Sequence, residues 1–229
     1  MTRRRRSLPG APLPALLAVL GLLASAGCSS GDGEGTDAAP TSTAGSEAVP
    51  ETPEELAALL VTEVPSGLVR VADDDVDPPA GPKTVEDVAG YADDPGYERQ
   101  VLEDYGYRFG WERFWGTPGG TVTSVFVDEF DGAPAAAAYA EDLAADGADY
   151  YAGMLQHGPP GLPRGCRLLT VAHPDPETRL TGPAAFAWCG SGVFSVAVSA
   201  VTGTPGGSVE AATDEVAAVV AEQLARLPD

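Results

Sequence analysis

Basic residues are scarce in this chain of 229 residues: 13 lysines and arginines stand against 34 aspartates and glutamates. Only one of the 13 is a lysine, Lys83, and four of the arginines are consecutive, Arg3 to Arg6. From Cys28 onward nine basic residues face all 34 acids, a formal charge of −25. A surface of that sign repels phosphates and anionic headgroups, which excludes nucleic acid as a partner. Histidine occurs twice, as His157 and His173, each in a stretch broken by prolines, so no Ser-His or Cys-His pair is visible. Ser191, in Cys189-Gly190-Ser191-Gly192-Val193, lacks the glycines that a G-x-S-x-G nucleophile elbow needs and reads as a turn serine. Phosphate loops and dinucleotide fingerprints are missing too, and no cofactor is implied. Asp73, Asp74, Asp75 and Asp77, and the segment His173-Pro174-Asp175-Pro176-Glu177, match no metal-binding spacing and read as solvated loops. Nothing marks a particular pair of carboxylates for glycoside hydrolysis. The expectation is a protein that is not an enzyme.

Asparagine and isoleucine are absent altogether. Like lysine, they are encoded by A-rich or A/T-starting codons, so the genome is read as GC-rich. Cysteine is limited to Cys28, Cys166 and Cys189. Upstream of the first lie a cationic start, Arg3 to Arg6, a mostly apolar run from Leu13 to Leu23, and small residues from Ala24 to Gly27. That is the layout of a secretory signal, with an apolar run too short to span a bilayer.

Ser25-Ala26-Gly27-Cys28 resembles the lipobox of bacterial lipoproteins. The resemblance implies a signal peptide over residues 1–27, with cleavage before Cys28. It also implies acylation of that thiol and attachment to the extracytoplasmic face of the cell membrane. Two or three acyl chains hold firmly where one binds only marginally. The other reading is an ordinary secretory signal with an incidental cysteine. A lipobox in a GC-rich bacterium points to the actinobacteria. With Cys28 acylated, Cys166 and Cys189 remain as one pair, a disulfide worth about 3 kcal/mol in the chain-entropy model.

Apart from Cys28 and Val49, residues 28–51 are glycine, serine, threonine, alanine, proline and acid, a disordered tether unable to bury enough surface to fold. Residues 52–229 suffice for one globular domain. Thr52-Pro53-Glu54-Glu55 and Thr84-Val85-Glu86-Asp87 are helix starts. "YGYRFGWERFWG" and "TVTSVFVDEF" read as a hairpin, with Tyr105, Tyr107, Phe109 and Trp111 on one face and Arg108 and Glu112 on the other. Pro134 opens an alanine-rich helix stopped near Gly147. "CRLLTVA", "AAFAWC" and "VFSVAVSAV" are further strands, and Ser208 caps a last helix. The order predicts an α+β fold, with a mainly antiparallel sheet of about five strands and helices packed on one face.

"FAWCGSGVFSVAVSAV" followed by "VEAATDEVAAVVAEQLARLP" resembles the C-terminal half of actinobacterial envelope domains. Those domains are small lipoproteins and the extracellular sensor domains of mycobacterial serine/threonine kinases. "GYRFGWERFW" resembles the aromatic strand of lipoproteins with a PsbP-like fold. These resemblances imply a non-catalytic sensor or scaffold domain that binds a ligand or an envelope protein. One alternative is a carrier of a lipid or other apolar molecule in an internal cavity, and another is a cryptic envelope hydrolase. The candidate ligand-binding residues are Tyr105, Tyr107, Arg108, Phe109 and Trp111, with His157 on the Pro/Gly-rich loop to Gly165. Aromatic walls with a few polar groups suit glycans or lipid-like molecules, although the same rings would serve equally as core.

Overall fold

The computed structural model describes residues 48–117, 120–203 and 207–228. The signal segment, Cys28 and residues 28–47 of the tether lie outside the described residues. Helix α1 (Pro53–Leu59) begins where the sequence places it, with the Thr52 hydroxyl accepting from the Glu55 N–H. Helix α2 (Val85–Ala89) has a full capping box between Thr84 and Asp87. Helix α4 (Ala133–Tyr151) follows, and Ser208 caps α5 (Val209–Arg226) through the Ala211 N–H.

Helix α3 (Pro95–Tyr105) is an addition to the expected order. Its signals are ordinary: Asp94 accepts from the Tyr97 N–H, Pro95 opens the first turn, and Gly106 closes the helix at φ 73°. Tyr105 therefore ends a helix and does not begin the aromatic strand. Gly147, expected to stop α4, lies inside it. A Cβ there would come within 2.7 Å of the Trp188 ring, so this glycine lets a strand side chain approach the helix.

One antiparallel sheet of seven strands forms the centre, in the order β1-β2-β3-β7-β6-β5-β4. The strands are β1 (Gly81–Lys83), β2 (Tyr107–Gly116), β3 (Val122–Phe130), β4 (Met154–His157), β5 (Cys166–Val171), β6 (Ala184–Ser191) and β7 (Phe194–Val201). The two beyond the expected five are the edges, β1 and β4, whose three and four residues are too short to show a period.

Helices cover both faces of this sheet, where one was expected. Against the first face lie α1 and α5, whose Leu56, Leu60, Val216, Val219 and Val220 pack with Val125, Val127, Val196 and Val198. Gln223 of α5, fully buried, joins the two helices. It accepts from the Val61 N–H at 3.0 Å and donates to the Leu59 carbonyl at 3.1 Å. Arg113 donates to the carbonyls of Ala57, Leu60 and Val61, satisfying acceptors at the end of α1. Against the second face lie α2, α3 and α4, through clusters containing Ala89, Leu102, Tyr139, Ala144, Phe186 and Trp188. Residues Ala184 to Cys189 of β6 are buried without alternation because apolar layers meet them from both sides. Cys166 and Cys189 are register partners on β5 and β6, joined as a disulfide on the α5 side.

Candidate functional site

A bulge redirects the aromatic strand. Tyr107 pairs with Phe130 and Phe109 with Glu129, so Arg108 is an extra residue with no partner in the ladder. Tyr107 thus shares the second face with Phe130, while Phe109 and Trp111 pack against the α1–α5 core. The row of four rings expected on one face is divided between a helix end and both faces. Past the bulge the alternation continues: Arg113 takes the inward position on the first face, and Phe114 meets Phe126 edge-on across the second. Arg108 pairs with the buried Glu129, and the Tyr105 hydroxyl donates to Asp142 of α4. His157 is exposed on the outer edge strand, opposite Arg167.

Against the second face lies a part-open cavity of about 150 Å³, between the sheet and the helices α2, α3 and α4. Its aromatic lining comes from Tyr91, Phe126, Tyr139, Tyr151, Phe186 and Trp188. Tyr151 stacks on Phe186 at 4.7 Å and Phe186 on Trp188 at 5.8 Å, forming one continuous wall. Room exists because the strand opposite is small: Ala197 and Ser199 of β7 line the space, as the small-residue face of that strand allows. None of the six residues singled out from the sequence lines the cavity. The Tyr107 hydroxyl approaches Asp128, and the Tyr105 ring meets Tyr139 edge-on, both of them lining residues.

Four carboxylates also line the cavity: Glu98, Glu112, Asp128 and Asp146. Glu112 is 4 % exposed and so is Lys83, whose ammonium lies 3.3 Å from it. The Tyr91 hydroxyl reaches both Glu112 oxygens, at 2.9 and 3.0 Å, and Lys83 also donates to the Pro79 carbonyl. Burial pushes the Glu112 carboxyl up to about 7, against the opposing pull of Lys83 and Tyr91. Asp128 stands opposite Gly110, and a Cβ on that glycine would occupy the carboxylate's place, 2.3 Å from Oδ1. Burial, then the charge of Glu112, raises Asp128 to about 7, while Tyr107 acts the other way. Glu98 and Asp146 are raised as well, by burial first and then by neighbouring acids. Among the described residues no lysine, arginine or histidine forms an ion pair with Glu98, Asp128 or Asp146.

The aromatic lining on β6 has a visible signal, the unalternated "AAFAWC", but Glu112 and Asp128 look like any outward-facing acid of a strand. Only the helices laid over that face make them interior.

No family model matches the chain, and no curated protein matches it by sequence. Among solved structures, the extracellular domain of PknH from Mycobacterium tuberculosis is similar at a TM-score of 0.40 and 14% identity. The likeness covers 56% of this chain and 68% of that one. It is weak and carries no inference about the site.

Proposed function

We propose that this is an extracytoplasmic lipoprotein, held to the cell membrane through acylated Cys28, whose domain binds a small ligand beneath its sheet and does not catalyse. The anchor rests on Arg3 to Arg6, the apolar run that follows, and Ser25-Ala26-Gly27 before the cysteine. Residues 29–51 then act as a tether reaching roughly 25–30 Å.

The observation that supports binding is the cavity itself. About 150 Å³ of space is walled mainly by apolar and aromatic side chains with a few polar groups among them, which is the make-up of a small-ligand pocket. The size suits a benzene-sized molecule. It gives less support to a lipid carrier, since pockets for drug-sized ligands already run to about 300–1,000 Å³. A hydrolase reading draws little from Glu112 and Asp128, because Tyr91 and Lys83 already engage both oxygens of the first.

Native mass spectrometry of the full chain, purified from its own cell envelope, tests the proposal. An excess mass that disappears on denaturation is the expected result. A bare mass would move the reading to a domain that contacts an envelope protein.

A further inference from the structure

Charge around the cavity is out of balance. Four carboxylates line it, Glu112 buried, Glu98 and Asp128 half-buried and Asp146 exposed, and the nearby cation, Lys83, is already paired with Glu112. Buried charge is costly unless it is paired, so a neutral or anionic occupant that displaced water from Asp128 would leave its carboxylate uncompensated or force it to keep a proton. A cationic occupant supplies the missing partner.

The remaining wall restricts which cation. Phe186 is stacked between Tyr151 and Trp188, but Tyr91, Tyr139, Tyr151 and Trp188 also line the site, and a ring face attracts cations through its quadrupole, more strongly where water is excluded. A bare metal ion instead needs several oxygen or nitrogen ligands converging on one point. Among the described residues no group of three or more His, Cys, Asp or Glu is so gathered. The domain's strongly negative field also draws small cations towards it.

We infer that the ligand of this cavity is a small organic ammonium ion, of a size near benzene, held by the aromatic wall and by the carboxylates of Asp128 on β3 and Asp146 on α4. This rests on the binding reading above and goes further by naming the chemistry of what is bound. The net positive charge answers Asp128, the alkyl groups on nitrogen fill the apolar volume, and Asp146 lies on the helix that covers it.

Isothermal titration of the full chain in non-ionic detergent with choline, and with its uncharged carbon isostere 3,3-dimethyl-1-butanol, tests the inference. The two have nearly the same shape and differ in charge. Choline is expected to bind saturably and at least tenfold more tightly than the isostere. Asp128→Asn, nearly isosteric, is expected to remove most of that preference, weakening choline and not the isostere, which no longer buries an uncompensated carboxylate. Asp146→Asn, at an exposed helical position, provides the same readout independently should the first variant fold poorly. Equal or tighter binding of the isostere overturns the ammonium inference and leaves a binding cavity standing. Binding of neither compound at millimolar concentration also overturns it. In that case a neutral or anionic adduct in the native mass spectrum keeps the binding reading, and a bare mass removes both.

Discussion

Glu112 and Asp128 occupy neighbouring outward positions on β2 and β3, and burial holds the proton on each up to about pH 7. In the unfolded chain the same groups release it near 4.5 and 3.8. Between these limits the folded state binds more protons than the unfolded one, so stability falls as pH rises. Asp87 works in the opposite sense: its hydrogen bonds with Thr84 lower it, and the stability it adds is lost only as pH falls below 3.8. The melting temperature is therefore expected to peak near pH 4–5 and decline towards neutrality. Asp128→Asn fixes the uncharged form. It should melt above the parent at pH 7.5, by about 2–4 °C per kcal/mol recovered, and level with it near pH 4. A calorimetric series across that range, parent against variant, checks both statements, and a parent that melts higher at pH 7.5 than at pH 5 refutes them.

Helix α4 carries the cover of the cavity, and its distance from the sheet is set by a residue without a side chain. A Cβ at Gly190 of β6 would lie 2.8 Å from the Cα of Ala137, against helix backbone that has nowhere to retreat. Gly190→Ala is expected to push α4 outward and destabilise the domain by about 1–3 kcal/mol, as overpacking does. Urea denaturation should show a lower midpoint with an unchanged slope. An unaltered midpoint would mean that α4 is not seated on this strand. The same helix exposes the limit of reading glycine from sequence. Gly147 looks like a stop and is a contact point for Trp188, whereas Gly106, in the left-handed region, does end a helix. The residue type is the same, and what differs is the neighbour brought in from elsewhere in the chain.

Across the whole molecule the sheet separates two cores, one under α1 and α5 and one under α2, α3 and α4. The disulfide belongs to the first, closing a loop of 23 residues between β5 and β6. Replacing both Cys166 and Cys189 by serine is expected to cost about 2–4 kcal/mol without unfolding the domain. Because the bridge lies on the face away from the cavity, choline affinity should be unchanged. A loss of affinity would mean that the two cores are coupled through the sheet.

Local chemistry was enough to place the helix starts at Thr52, Thr84 and Ser208 and the hairpins, because the deciding partners are a few residues away. Asp94-Pro95 offered the same kind of information for α3. The pairing of Cys166 with Cys189 followed from the count of three cysteines once the lipobox resemblance set Cys28 aside. The second layer of helices, the direction of Tyr107 and the interior setting of Glu112 and Asp128 were decided in three dimensions. A single extra residue, Arg108, reverses which face the preceding side chain takes relative to those that follow. An acid on a strand becomes a buried charge only when a helix from a distant part of the chain closes over it.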